Sequence, residues 1–256
     1  MHLYAIKTET IGTGENLVEK ALDSMKKQKL QFENNDVLAV TSKIVAYSQG
    51  RIVKLSDIKP SEESRKLAKQ HSLRPEFAEL ILRESDKILG GVDKAILTLK
   101  DNILTANAGI DNKNAPPGFA VLWPTDPEKS ANSIREQIMK ATGKKIGVII
   151  VDSGLTPLRI GTIGLAVAVA GFKPIRDTRG RADIFGKPLV ITRHAVADDL
   201  ASAAHLLMGE AAEKTPIVLI RDAPVDFDDG VYGPNDMMMP FQECLFMGTL
   251  KLNAKN

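Results

Sequence analysis

Apolar side chains come in short unbroken runs at residues 37–40, 95–99, 103–106, 146–151, 189–192 and 217–220, each closed by polar or turn-forming neighbours. Runs of this length, rich in Val, Ile and Leu, predict strands, several of them covered on both faces. The opening residues Met1 to Ile6 predict one more. Elsewhere the apolar positions advance by three and four, which predicts helices over 17–25, 61–70, 76–85 and 198–209. Ser61 with Glu62 and Glu63 reads as an acidic first turn, and Pro75 as a first helical position. Asp198 reads as an N-cap and Gly209 as a helix stop.

Strand and helix segments do not alternate regularly, and 95–99 with 103–106 reads as a hairpin over Lys100, Asp101 and Asn102. The predicted class is therefore α+β, with mixed or antiparallel sheets and helices, in preference to a doubly wound parallel sheet. Residues 112–127, rich in Pro, Asn and Asp, read as the clearest long connection. The Ala/Gly-rich stretch 161–171 reads as a closely packed buried helix or strand, not as a phosphate loop.

Three apolar segments break into an acid flanked by small residues. These acids are Asp111 after Gly109 and Ile110, Asp152 before Ser153 and Gly154, and Glu210 after Met208 and Gly209. A carboxylate at the mouth of a buried element is costly unless a cation shares the site, so three of them point to a divalent metal. A hard metal held by carboxylates commonly holds phosphate as well. Taken singly, Asp111 and Asp152 read more often as an N-cap or Asx turn.

Composition narrows the partners. The 256 residues suffice for one large domain or two modest ones. Lys and Arg number 34 against 32 Asp and Glu, and a net charge of +2 provides no field for nucleic acid or an anionic membrane. The longest nearly apolar stretch, 163–172, is about half a bilayer span. Cys244 stands alone and reads as an inert buried thiol, and the N-terminus shows no charged-then-apolar leader. The expectation is a soluble cytoplasmic protein with no nucleic-acid or membrane partner.

No P-loop string is present, and Gly12-Thr13-Gly14 is a weak glycine turn whose plainer reading is the loop before the first helix. Thr41-Ser42-Lys43 closes a strand with hydroxyls, backbone N–H groups and an ammonium, which suits a phosphate; a plain strand-to-helix cap is the alternative. Asn114 adds an amide three residues after Asp111. His2, His71, His194 and His205 lack metal-ligand spacing, and His205 reads as packed or exposed. No Ser-His-Asp order or nucleophile elbow occurs, and Trp123 reads as a packing anchor.

These strings, in this order, resemble the coenzyme F420-0:γ-glutamyl ligase family. The matching segments are 36–45 with Gln49-Gly50-Arg51, 107–111 with Asn114, 142–152, Gly161 to Gly164, 183–186, Val196-Ala197-Asp198 and 206–210. The resemblance implies a ligase that uses GTP to join the amine of L-glutamate to an acceptor carboxylate. It also implies Mg²⁺ or Mn²⁺, two per site, and stimulation by K⁺. The whole chain, 1–256, would then be one ligase unit of two intertwined α+β subdomains, assembled as an intertwined homodimer. By motif position, Asp111 and Asp152 would hold one metal, and Ser153 and Glu210 a second. Ser42, Lys43, Asn114, Met208 and Gly209 would line the nucleotide site, with Asp111, Asp152 and Glu210 carrying the chemistry.

Two departures from the family pattern stand out. The turn after Asp152 reads Ser153-Gly154-Leu155-Thr156-Pro157-Leu158-Arg159, without the family's arginine in that turn, although Arg159 is close in sequence. Tyr47 stands where relatives tend to carry lysine, which exchanges a charge for an aromatic face. Both leave the acceptor open between a deazaflavin and a folate-like molecule. Other readings are a metal-dependent nucleotide hydrolase and a non-catalytic nucleotide-binding protein.

Overall fold

The computed structural model describes residues 1–250. Its centre is a six-stranded mixed sheet in the order His2–Ile6, Ile217–Arg221, Val37–Thr41, Gly147–Leu155, Thr162–Phe172, Phe227–Tyr232. Val37–Thr41 and Gly147–Leu155 run parallel, and every other neighbouring pair is antiparallel. Two antiparallel steps separate His2–Ile6 from Val37–Thr41, so these two also point the same way. Three strands therefore deliver their C-terminal ends to one edge of the sheet, and the chain emerging there is free to build a site.

Strand alternation sorts the side chains into two layers. Leu38, Val40, Val148 and Ile150 enter one core beneath helices Leu17–Lys27 and Pro127–Thr142. Val37, Ala39, Ile149 and Val151 enter the other, beneath helix Val196–Met208. None of these eight is more than 1% exposed. Burial on both faces is why the strands read as unbroken apolar runs, and each Val, Leu or Ile contributes about 1.5–3 kcal/mol of transfer free energy.

The chain between the two parallel strands makes a third core. Strands Lys87–Val92, Ala95–Lys100 and Ile103–Ala106 form an antiparallel sheet, backed by helix Pro75–Glu84 with Glu62–Gln70 beside it. The predicted hairpin is present, its turn made by Asp101 and Asn102 at φ 49° and 63°, the left-handed pair such turns require. Ile52–Lys54 pairs with Phe119–Val121, and Trp123, 1% exposed, anchors the return to the main sheet.

Several parts of the structure depart from the sequence pattern. Residues 189–192 form no strand, and Val190 and Ile191 are 77% and 83% exposed; the short pair Arg176–Asp177 and Arg193–His194 stands nearby instead. The helix Val196–Met208 begins before the predicted start, so Asp198 is not its N-cap. The Asp198 carboxylate accepts from the Ala166 N–H at 2.9 Å, which ties the helix to the sheet. Helix Pro127–Thr142 was not predicted, because its apolar stripe is only Ala131, Ile134 and Ile138 and it follows a Pro/Asp-rich stretch. Cys244 is half-buried, not buried, since the chain around it lies on the surface.

The 161–171 stretch is strand Thr162–Phe172, and its small residues have a packing cause. Gly164 lies opposite Ser153 in the ladder and directly under helix Val196–Met208. A Cβ there would sit 2.2 Å from the Ala201 carbonyl oxygen and 2.8 Å from His205 Cβ. Gly164→Ala is expected to lift the helix from the sheet and cost about 1–3 kcal/mol. Urea unfolding followed by circular dichroism reads this, and an unchanged midpoint would contradict the close approach.

Candidate functional site

At the edge where the three strands end, the sheet opens into a cavity of about 350 Å³. Its walls come from the segment after His2–Ile6, from Thr41 to Tyr47, from Asp111 and Asn114, from Val151 to Ser153, and from residues 205–216. Ile11, Ile44, Val151, Met208 and Pro216 give it an apolar lining that makes the charged groups inside it interact strongly.

The first group of charges follows from strand geometry. Gly147–Leu155 runs past Val151, and a bulge between Ile150 and Val151 redirects its end. Asp152 and Ser153 are consecutive on this strand and so point to opposite faces. Asp152 is buried and meets Lys43 at 3.4 Å, on the helix Ser42–Ser48 that follows the neighbouring strand. Asp111 arrives from the third core, its backbone paired with Val121 and its Oδ1 accepting from the Lys113 N–H at 2.7 Å. Its other oxygen lies 3.5 Å from the same Lys43 Nζ. Burial alone would lower the Lys43 pKa, but the Asp152 and Asp111 carboxylates outweigh it and raise it, so the ammonium stays charged.

The second group lies on the other face. Helix Val196–Met208 ends at Gly209, whose φ of +71° is the left-handed turn glycine allows, and the turn delivers Glu210 to the cavity. Glu210 Oε1 accepts from Ser153 Oγ at 2.9 Å and from Thr162 Oγ1 at 2.6 Å, and His205 Nε2 lies 2.8 Å away. Burial pushes the Glu210 pKa up, and the donors from Thr162, Ser153 and His205 outweigh it, leaving it below the ordinary value. Tyr47 lines the same cavity, and its hydroxyl donates to the Asn114 carbonyl at 3.1 Å.

Of the residues picked out by sequence, Lys43, Asp111, Asn114, Asp152, Ser153, Met208, Gly209 and Glu210 line this one cavity. Ser42 does not; it is 2% exposed and packed at the start of its helix. Gly12-Thr13-Gly14 forms the loop before the first helix, and Arg159 lies on the exposed hairpin tip, outside the cavity lining. The sequence assigns no role to His205 or Thr162: the ladder between Gly147–Leu155 and Thr162–Phe172 sets Thr162 beside Ser153, and the close helix packing at Gly164 brings His205 there.

Oxygen donors dominate the site, a set suited to a hard divalent ion. Among the described residues no three of His, Cys, Asp or Glu converge on a single point. The two acids of the first group instead share the Lys43 ammonium, and Glu210 stands with two hydroxyls and an imidazole. Each group thus offers part of a coordination shell that phosphate oxygens and water would complete.

A profile of the F420-0:Gamma-glutamyl ligase family matches residues 5–222. The chain belongs to that family. It is 38% identical to the coenzyme F420:L-glutamate ligase of Methanopyrus kandleri over 209 residues, 81% of each chain. To the protein of the same name from Methanothermobacter thermautotrophicus it is 36% identical over 239 residues, 93% of this chain and 95% of that one. The protein of that name from Methanocaldococcus jannaschii is 37% identical over 216 residues, 84% of this chain and 86% of its own. The matched region of this family member contains every cavity residue named above.

Lys43→Met leaves two carboxylates facing each other without a cation. The expected cost is about 2 kcal/mol of folding stability, read from urea unfolding at neutral pH. Adding Asp152→Asn removes the repulsion, so the double variant is expected to be more stable than the sum of the single effects. Simple additivity would show that the three groups are not coupled.

Proposed function

We propose that this protein is a GTP- and divalent-metal-dependent ligase that adds L-glutamate to a carboxylate of a deazaflavin acceptor, forming a γ-glutamyl-linked coenzyme of the F420 type. The observation that carries the reading is the convergence of Lys43, Asp111, Asp152, Ser153 and Glu210 on one cavity in a chain of this family. The names of the relatives support the acceptor and the glutamate.

Asp111 and Asp152 would hold one divalent ion and Ser153 and Glu210 a second, with K⁺ as a stimulating ion. The ions would neutralise charge on the terminal phosphates as the phosphoryl group moves. Lys43 keeps its ammonium at the cavity wall, where it attracts an anionic phosphate or carboxylate. Asn114, Met208 and Gly209 line the nucleotide side, and the Tyr47–Asn114 hydrogen bond holds the loop that follows Asp111 against the Lys43 helix. The acceptor carboxylate attacks the terminal phosphorus, forming an acyl phosphate and releasing GDP. The glutamate amine then attacks the acyl carbon, forms the amide, releases inorganic phosphate and loses a proton. No protein nucleophile enters either step.

The whole chain is read as one ligase unit acting as a homodimer. Support for a second copy comes from Leu158, Ile160, Ile184, Phe185, Val190 and Ile191, all strongly exposed on two projecting segments. Sedimentation equilibrium is expected to give twice the chain mass, and Ile160→Asp with Phe185→Asp is expected to shift it to the monomer. A wild-type monomer at micromolar concentration would refute the assembly. No helix among the described residues is long and apolar enough to cross a membrane.

Incubation with GTP, Mn²⁺, glutamate and the deazaflavin acceptor is expected to add the mass of a glutamyl residue to the acceptor. Asp152→Asn is expected to lower kcat at least about a hundredfold. A folate-like acceptor in a parallel reaction separates the two substrate classes. GTP hydrolysis indifferent to acceptor and glutamate would replace the ligase reading with a hydrolase. Binding of GTP without turnover, unaffected by Asp152→Asn, would replace it with a binding protein.

A further inference from the structure

His205 is the one histidine among the cavity-lining residues, and its place there is built, not incidental. Helix Val196–Met208 lies close enough to the sheet for this only because Gly164 has no side chain, and the Ser202 hydroxyl fastens the helix to the Gly164 carbonyl at 2.9 Å. The imidazole is 14% exposed and turns its Nε2 to the cavity. Three atoms meet there: His205 Nε2 and Glu210 Oε1 at 2.8 Å, Glu210 Oε1 and Ser153 Oγ at 2.9 Å, and Ser153 Oγ and His205 Nε2 at 3.3 Å. Thr162 Oγ1 joins the same carboxylate oxygen at 2.6 Å.

That triangle has the dimensions of one face of a coordination shell. Donors about 2.1 Å from one ion, at right angles to each other, stand about 3 Å apart. Glu210 Oε1 is also approached by three polar atoms, one more than its two lone pairs accept at full strength.

We propose that His205 supplies a nitrogen ligand to the divalent ion held by Glu210 and Ser153, and that this imidazole biases the subsite toward ions such as Co²⁺ or Zn²⁺ over Mg²⁺. The proposal rests on the reading above that a divalent ion binds at Ser153 and Glu210. Its chemistry is ligand softness: imidazole suits later transition ions, whereas carboxylate and water oxygens suit Mg²⁺ and Mn²⁺. The Asp111–Asp152 group has only carboxylates and an ammonium, so the two subsites would differ in the ions they prefer.

The test uses Mn²⁺ as the probe on the full-length protein, with a spin-echo measurement of ¹⁴N coupling to the bound ion. Wild type is expected to show imidazole nitrogen coupling. His205→Gln is expected to bind Mn²⁺ without it and to bind Co²⁺ about 10–100-fold more weakly, with Mg²⁺ affinity little changed. Glu210→Gln gives a second route, since loss of the ion from this subsite should remove the nitrogen signal with the histidine intact. Circular dichroism of each variant confirms folding. Mn²⁺ bound to wild type without nitrogen coupling, or Co²⁺ affinity unchanged in His205→Gln, overturns this inference and leaves the metal reading standing. No saturable Mn²⁺ binding to wild type would sink both.

Discussion

Two carboxylates brought to the end of a buried parallel strand pair are the constraint around which this molecule is organised. Asp152 sits at the end of the most apolar strand, and Asp111 arrives on a loop from a separate core. Without a cation their juxtaposition would be unfavourable in an apolar cavity. Lys43 supplies the cation from the helix that follows the neighbouring strand. One ammonium thereby connects the main sheet, the first helix beyond it and the inserted third core, and it does so at the place where an anionic substrate would enter.

A second constraint acts through strand alternation. Because consecutive residues face opposite ways, Asp152 and Ser153 divide the cavity into two groups of polar atoms on either side of the sheet edge. The far group forms only if helix Val196–Met208 can approach, which Gly164 permits, and only if the chain turns sharply at Gly209. Asp198 ties the start of the same helix to the strand below, with its carboxylate on the Ala166 N–H. Its burial raises the Asp198 pKa, an energetic penalty that the backbone hydrogen bond partly offsets. At the opposite end of the sheet Arg221 makes two 3.0 Å hydrogen bonds to the buried Asp36 carboxylate, joining Ile217–Arg221 to the start of Val37–Thr41.

The central strands of the main sheet were legible because burial on both faces leaves unbroken apolar runs in them, whereas the edge strand Phe227–Tyr232, interrupted by Asp228 and Asp229, carries no such run. The 189–192 run shows the limit of that signal: four residues of the right type remain exposed when no neighbouring strand offers them a ladder. Helix Pro127–Thr142 shows the opposite failure, a real helix whose buried face is a narrow stripe that includes Arg135, bonded through Nε to the Ile146 carbonyl. Asp198 looked like a cap because it precedes the apolar repeat, but the helix begins earlier and its first turn is covered by the sheet.

The sequence by itself determined the mixed α+β class and the family, and it singled out three acids that the fold brings to one cavity, because apolar runs and the strings around Asp111, Asp152 and Glu210 are local properties of the chain. It assigned no role to His205 or Thr162, because being in or beside a family string does not say which distant residues a side chain meets. Only tertiary structure brought them to Glu210, because a glycine on one strand set the height of a helix above it. It also excluded Ser42 from the cavity wall, since the turn of its short helix directs Lys43 outward and Ser42 into the core. Local patterning decides what a residue can do chemically, and the packing distance between elements decides which of those residues meet.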